Sequence, residues 1–181
     1  MSVKAQDNIL DTIPKIDGVY QYQAIVNLDS TYKKGTLYNN SKIYFVDNFK
    51  SANDVVQYQD ANDGKVIGKG LFKLEDVKNS FLGWNQIYWD VYYTTEITCK
   101  DGKYRYRLYD IKIRESGQAN NGRVYVGDIY IENLPIWLNG KNKCRKNMIK
   151  LNNEMVMTFN ETVKTIKDYM SKKNAKTKDD F

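Results

Sequence analysis

The sequence predicts an α+β fold in which one curved antiparallel sheet carries an N-terminal helix and a long C-terminal helix on the same face. Three observations lead to this prediction. Apolar and polar residues alternate along residues 86–114, which is the period of a half-buried strand. Near both ends of the chain, apolar residues recur every three or four positions, which is the period of an amphipathic helix. Two Asp-Gly dipeptides separate strand-like runs, as they do in hairpins.

The first strand and the first helix are predicted from residues 18–51. Even-numbered positions from Tyr20 to Leu28 are aromatic or aliphatic, and Gln21, Gln23 and Asn27 lie on the other face, which indicates a strand. Asp29, Ser30 and Thr31 follow with side chains that can cap a helix N-terminus. The apolar spacing that comes next predicts an amphipathic helix of about four turns, ending near Ser51.

The middle of the chain is predicted to contain two hairpins. Residues 54–60 and 65–74 are strand-like and meet at Asp63-Gly64, whereas residues 75–85 are predicted to form a polar loop. Residues 86–100 and 103–114 meet at Asp101-Gly102. If that dipeptide is a two-residue turn, Lys100 faces Lys103 and all further partners follow from this pair.

This register predicts which residues of the second hairpin lie opposite one another. It places Glu96 opposite Arg107 as a cross-strand ion pair on the outer side of the sheet. On the second strand the apolar parity changes after Tyr109, from residues 104, 106 and 108 to residues 111 and 113. The change predicts a β-bulge near Asp110, the one acidic residue that the sequence places in a strained position.

A short strand and a long helix are predicted for the rest of the chain. Residues 117–122 are interpreted as a loop, and residues 124–134 as a short strand closed by Pro135. From about Lys143 to Met170 a continuous apolar stripe predicts one long helix. The residues of this stripe are Met148, Leu151, Met155, Phe159, Val163, Ile166 and Met170.

The length of 181 residues suits a single domain, which we place at residues 18–171. Residues 1–17 are interpreted as an N-terminal segment, either an ordinary flexible terminus or the remnant of a signal peptide. The signal-peptide interpretation depends on Val3-Lys4-Ala5 before Gln6, which has the small-residue spacing of a signal-peptidase site. Residues 172–181 have the composition of a disordered basic tail. No apolar run is long enough to predict a transmembrane helix.

The net charge of +6 belongs to the C-terminal quarter of the chain. Residues 139–181 hold eleven basic and five acidic residues, so the first 138 residues are balanced. A basic segment can indicate an anionic partner such as nucleic acid or a membrane surface. The favoured interpretation is a solvated helix face followed by a frayed tail, because the segment lacks the interleaved aromatic residues of a single-strand binder.

The composition excludes several kinds of catalysis. With no histidine, the chain cannot build a Ser-His-Asp or Cys-His site, a His-ligated zinc site or a histidine proton shuttle. The two cysteines, Cys99 and Cys144, have no activating spacing and are interpreted as buried free thiols. On one strand face Asp90 and Glu96 are about 20 Å apart by strand rise, too far for a glycosidase pair. We therefore expect a protein without enzymatic activity, cofactor or metal.

Several blocks of sequence resemble a known bacterial family. These blocks are Leu37-Tyr38 to Tyr44-Phe45, Asn48 to Ser51, Val55 to Asp60, the Val-Ile-Gly-Lys-Gly run within Gly64 to Gly70, and Lys100 to Tyr106. They are similar to a secreted domain of unknown function with a TATA-binding-protein-like fold, common in anaerobic gut Gram-negative bacteria. The likeness covers about residues 19–114. It implies a helix-grip arrangement and export to the periplasm or cell surface, and it supplies no catalytic residues.

The function predicted from the sequence is that of a non-catalytic exported binding module for a protein, a peptide or a cell-envelope component. The fifteen tyrosines and three tryptophans supply the aromatic residues that such surfaces use. The alternative is a carrier for a small apolar ligand, with a cavity between the C-terminal helix and the sheet. That cavity is predicted to be lined by Trp89, Tyr93, Tyr106, Met155 and Phe159. Nucleic acid is disfavoured as a partner, since a fold name does not carry a function.

Overall fold

The structure, a computed structural model, describes five stretches of the chain. They are residues 13–49, 55–80, 83–118, 124–139 and 144–173. The predicted N-terminal segment up to residue 12 and the predicted tail from residue 174 lie outside the described residues. Ile13 is buried, and a two-residue strand at Lys15–Ile16 (β1) pairs with Val19–Tyr20 (β2).

The main sheet has six antiparallel strands. The remaining elements follow in chain order: β3 Tyr22–Asn27, α1 Lys34–Asn48, β4 Val56–Asp60, β5 Lys65–Ser80, β6 Gly83–Lys100, β7 Lys103–Gln118, β8 Val124–Ile129, a 3-10 turn at Ile131–Asn133, α2 Leu134–Asn139 and α3 Cys144–Met170. The strand order is β3-β7-β6-β5-β4. Strand β8 pairs with β7 on the same side as β3, because β7 is long enough to hold both. The predicted α+β fold is confirmed.

Both long helices pack on one face of the sheet, which we call the inner face. On α1, Leu37, Tyr44 and Phe45 are buried; on α3, the predicted stripe from Met148 to Met170 is buried except for the half-buried Val163. The inner-face positions of β6, from Ile87 to Cys99 in steps of two, are all buried. The apolar stripes and the apolar sheet face thus cover one another, as the periodicity predicts. We call the opposite side of the sheet the outer face.

Two glycines of the Val-Ile-Gly-Lys-Gly run let large rings lie directly on the sheet. A Cβ atom on Gly68 would lie 2.4 Å from Cε1 of Phe45, so α1 approaches β5 over this glycine. A Cβ atom on Gly70 would lie 2.2 Å from Cζ of Tyr93, its partner on β6. Packing therefore explains the two glycines of this run, since only glycine leaves room for these two rings.

The second hairpin has the predicted register and the predicted bulge. Lys100 pairs with Lys103, Cys99 with Tyr104, and Gly102 has a φ of 68°. The β6–β7 register shifts between Tyr92 and Thr94, opposite Asp110, whose φ of 53° is unusual for a residue with a side chain. The ion pair on the outer face differs in its partner. Glu96 binds Arg105, with 2.9 Å between Oε1 and Nη2, while Arg107 donates to Gln21, because the diagonal neighbour is also within reach of a long side chain.

Three predictions about local structure are wrong. The predicted polar loop at residues 75–85 belongs largely to strands, since β5 and β6 keep one register from Lys65↔Thr98 to Ser80↔Gly83. Backbone pairing thus continues through a polar stretch without needing apolar side chains. The predicted strand at residues 124–134 ends at Ile129, and Pro135 lies in the first turn of α2, where its missing N–H costs nothing. Of the loop predicted at residues 117–122, Gly117 and Gln118 belong to β7, and residues 119–122 lie outside the described residues.

The predicted N-terminal cap of α1 is also wrong. Asp29 accepts hydrogen bonds from the backbone N–H and the hydroxyl of Thr31, which closes a turn before the helix. The helix begins at Lys34, and its backbone N–H donates to Oδ1 of Asp101 in the hairpin turn, at 2.7 Å. The cap comes from a residue far away in sequence, which no local pattern can reveal.

We expect Asp101→Ala to lower the free energy of unfolding by about 1 kcal/mol, because it removes the acceptor at the helix N-terminus. Asp101→Asn keeps an acceptor oxygen and should recover most of that loss. Urea unfolding followed by circular dichroism measures both values. Equal losses for the alanine and asparagine variants would contradict the capping role.

Candidate functional site

The five residues predicted to line a ligand cavity lie together in the core between α3 and the sheet. Trp89, Met155 and Phe159 have no exposed surface, and Tyr93 and Tyr106 are also buried. The indole N–H of Trp89 donates to Oε2 of Glu115, at 2.7 Å, which satisfies its one polar atom. All five thus belong to the buried core, and among them Tyr93 and Phe159 are in ring contact.

Protein side chains occupy the space around Phe159. Its ring centroid lies 5.4 Å from that of Tyr22, 5.2 Å from Phe72 and 5.3 Å from Tyr93. The contacts with Phe72 and Tyr93 are edge-to-face, an attractive geometry for aromatic rings. These contacts make Phe159 the centre of an aromatic cluster that joins α3 to β3, β5 and β6.

Burial also changes the titration of four tyrosines, three on the inner face of the sheet and one on α1. It raises the pKa of Tyr93 to about 12, against a smaller lowering by a hydrogen bond with Thr162. It raises the pKa of Tyr44, Tyr104 and Tyr106 as well. The neutral phenol is thus favoured in the folded protein at every one of these positions.

We expect the protein to lose stability as the pH rises above about 10, the pKa of tyrosine in an unfolded chain. Above that pH the unfolded chain releases protons that the folded protein still holds, at about 1.4 kcal/mol per pH unit for each such tyrosine. Below it, this contribution is fully present. Tyrosinate absorbance should show exposed tyrosines titrating first and the buried ones ionising together with unfolding, whereas urea-unfolded protein should titrate in one step. A single step in the native protein would contradict the burial.

A cleft of about 690 Å³ lies beside the bulge in β7. We call it the bulge cleft. Its lining comes from five segments, Val19–Tyr20, Lys69–Gly70, Tyr92–Thr94, Asp110–Arg114 and Asp128–Glu132. Of the five residues predicted to line a cavity, only Tyr93 is among them.

The bulge cleft coincides with an interruption of strand pairing at the edge of β7. The β3 ladder ends at the pair Tyr22↔Leu108, and the β8 ladder begins at Ile113↔Ile129. Between them, residues 109–112 have no partner strand on this side among the described residues. Unpaired edge backbone can form hydrogen bonds with another chain, and the bulge at Asp110 limits this stretch to a few such groups.

The lining combines an apolar base with aromatic and charged groups. Ile111, Ile113, Ile129 and Ile131 line the cleft and are themselves buried, while Tyr92 and Tyr130 are 37% and 66% exposed. The carboxylate of Asp110 lies 3.1 Å from the amine of Lys112, and that of Asp128 lies 3.3 Å from the guanidinium of Arg114. Such a mixture is typical of sites that bury an apolar group and orient it with a few polar ones.

Ordered rows of side chains extend from the cleft across the outer face. One row alternates in charge over four strands, Lys73, Asp90, Arg114 and Asp128, with ion pairs of 3.6 Å and 3.3 Å at its two ends. The adjacent row is Leu71, Tyr92 and Lys112, and the guanidinium of Arg114 lies 6.0 Å from the ring centroid of Tyr92. The outer face is thus an accessible surface that carries both aromatic and paired charged groups.

Sequence reasoning found the bulge but not the cleft. The parity change after Tyr109 identified Asp110, which lines it. The contributions of residues 19–20 and 128–132 depend on how β2 and β8 meet β7, and the sequence shows no pattern for that meeting. Among the described helices, none is long and apolar enough to cross a membrane.

Comparisons with known proteins identify the fold and a family. A sequence profile described as "Domain of unknown function (DUF4468) with TBP-like fold" matches residues 22–114. A crystal structure of a DUF4468 family protein from Bacteroides ovatus ATCC 8483 is similar with a TM-score of 0.58 at 15% identity, covering 96% of this chain and all of that one. A TBP-like protein from Parabacteroides distasonis ATCC 8503 has a TM-score of 0.50 at 16% identity, covering 86% of this chain and 97% of that one. A search of curated proteins found no significant match.

Proposed function

The chain belongs to the DUF4468 family of domains of unknown function, and we propose that it is a non-catalytic binding module that recognises an extended segment of a protein partner in the bulge cleft. The observation that carries the proposal is the coincidence of two features at one place. An apolar-based cleft of about 690 Å³ lies where β7 has unpaired edge backbone.

The cleft has the size and lining of a site for a large side chain. Pockets that hold small ligands or anchoring groups measure about 300–1,000 Å³ and are mostly apolar. Tyr92 and Tyr130 can contact an inserted group with little loss of conformational entropy, since aromatic side chains are stiff. Four charged residues of the lining form the two ion pairs, and Lys69 and Glu132 add one charge of each sign, so the cleft favours a ligand without a strong net charge.

The unpaired backbone of residues 109–112 supports an extended peptide in particular. In strand addition, main-chain hydrogen bonds supply affinity and a pocket for an alternate side chain supplies specificity. The unpaired backbone of residues 109–112 supplies main-chain groups for such hydrogen bonds. The cleft beside it supplies the pocket for a side chain. A small rigid ligand would use only the cleft.

The absence of catalysis is part of the proposal. Three carboxylates line the cleft, and two of them, Asp110 and Asp128, lie in ion pairs with Lys112 and Arg114. We also propose that the protein acts after export, which rests on Val3-Lys4-Ala5 and on the family resemblance. Fractionation of the native cells, with the protein found beside periplasmic or surface markers rather than cytoplasmic ones, supports that part; recovery with cytoplasmic markers rejects it.

The alternative function is that of a carrier of small apolar ligands. For such a ligand the volume of the cleft favours binding there over binding inside the core. In this case the ligand binds at Tyr92 and Tyr130 instead of among the rings around Phe159. Peptide recognition uses the unpaired backbone of residues 109–112, whereas the binding of a small apolar ligand uses only the cleft.

Selection from a random peptide display library tests the proposal. Peptides enriched on the wild-type protein should lose most of their binding to a Tyr92→Ala, Tyr130→Ala double variant. They should bind Tyr58→Ala normally, because Tyr58 is an exposed tyrosine on the distant edge strand β4. Unchanged binding of the enriched peptides to the double variant would reject peptide recognition at this cleft. It would also be rejected if no peptide is enriched while compounds from a panel of small apolar ligands stabilise the protein.

A further inference from the structure

Strand β8 forms an open edge of the main sheet. Its residues Val124–Ile129 pair with β7 on one side, and no other described strand pairs with it on the second side. A Cβ atom on Gly127 would point to the inner face, as Glu115 opposite it does, and would meet nothing within 4 Å, so no described side chain covers β8 there. The second edge of β8 therefore presents backbone groups that another strand can pair with.

This edge lacks the features that normally prevent strand pairing. Proteins protect exposed edges with lysine, proline, bulges or inward charges. Strand β8 has no lysine or proline, and its two outward valines, Val124 and Val126, are 68% and 64% exposed. The opposite edge strand β4 differs, because its register with β5 shifts between Val56 and Tyr58, which interrupts regular pairing.

We propose that β8 pairs with β8 of a second copy of this chain, antiparallel and around a two-fold axis at Val126. For the two sheets to be continuous, outer-face residues must lie opposite outer-face residues, so the numbers of paired residues must have an even sum. Centring the pair on Val126 places Val124 opposite Asp128 and aligns five residues of each strand. It also brings β-branched side chains together across the axis, a favourable cross-strand pair.

Charge is compatible with this pairing. Asp128 is the only charged residue of β8, and its carboxylate lies 3.3 Å from the guanidinium of Arg114 in its own chain. In the proposed register the two Asp128 residues are four positions apart, about 14 Å by strand rise, which exceeds the screening length at physiological salt. Two copies thus meet without bringing unpaired like charges together.

The expected dimer is weak, because five residues of edge pairing bury much less than the area of a stable interface. Sedimentation velocity from about 10 µM to about 1 mM protein should show the wild type shifting from monomer to dimer. Val126→Lys should remain monomeric. Ile25→Lys should dimerise like the wild type, because Ile25 is equally exposed, at 64%, and lies on β3, at the other end of the same sheet edge.

An engineered disulfide tests the register. Val126→Cys should form a covalent dimer under mild oxidation, and Ile25→Cys should not. Both cysteine variants are made together with Cys144→Ser, and Cys99 does not interfere, since it is buried and burial raises the pKa of its thiol to about 12. A wild type that stays monomeric throughout the concentration range, a dimer that Val126→Lys leaves intact, or equal crosslinking of both cysteine variants would overturn the proposal.

Discussion

Replacing Phe159 by alanine is expected to lower the free energy of unfolding by about 3–5 kcal/mol, the range for deleting a fully buried aromatic ring. Phe159 has no exposed surface and contacts the rings of Tyr22, Phe72 and Tyr93. Its loss leaves a cavity whose walls belong to α3 and three strands, which cannot all move inward. Urea unfolding followed by fluorescence measures the change.

Met157 is the matched control on the same helix. Its side chain is 60% exposed, so Met157→Ala should change the free energy of unfolding by about 0.5 kcal/mol or less. A loss below about 1 kcal/mol for Phe159→Ala would mean that the space around the ring is not tightly filled. That result would favour the internal ligand cavity predicted from the sequence.

Gly68→Ala is the second change with a large expected effect, a loss of about 1–3 kcal/mol from overpacking. The new Cβ atom would lie 2.4 Å from Cε1 and 2.9 Å from Cδ1 of Phe45. Phe45 is fully buried, and its ring packs against Tyr44 and Phe49, so it has little freedom to move aside. Either the ring leaves its rotamer or α1 lifts from the sheet, and thermal or urea unfolding reports the cost.

A double-mutant cycle separates this clash from a general intolerance of side chains in the strand. Phe45→Leu removes the ring atoms that the Cβ would meet, so the loss in the double variant should be clearly smaller than the sum of the two single losses. Gly127→Ala is the control, because a Cβ there meets nothing within 4 Å; it should be neutral or slightly stabilising. Additive losses for Gly68→Ala and Phe45→Leu would show that the contact is not the cause.

Most of the fold could be predicted because it depends on short-range patterns. The Asp101-Gly102 turn fixed the register of β6 and β7, and the change of parity after Tyr109 located the bulge at Asp110. The apolar stripe from Met148 to Met170 predicted α3 in the same way. Each of these features is encoded within one or two neighbouring elements, where periodicity and turn chemistry act directly.

The errors share one cause, which is that long-range contacts replaced local ones. Asp101 caps α1 from another hairpin, although Asp29 was nearer in sequence. Glu96 pairs diagonally with Arg105 because Arg107 is engaged by Gln21 from the N-terminal region. The predicted loop at residues 75–85 extends two strands because each strand supplies the backbone partners of the other.

The sequence by itself determined the α+β class, the order of the main strands and the two long helices, the pairing of β6 with β7, and the apolar stripes that cover the inner face. It did so because turn residues and apolar periodicity act over a few residues, and burying an apolar stripe leaves one choice of face. Only the tertiary structure decided that β3 and β8 share one edge of β7, leaving residues 109–112 between them and a cleft at that place. The physical reason is that edge sharing depends on the length and twist of β7 relative to two strands that are distant in sequence, and no local pattern records that fit.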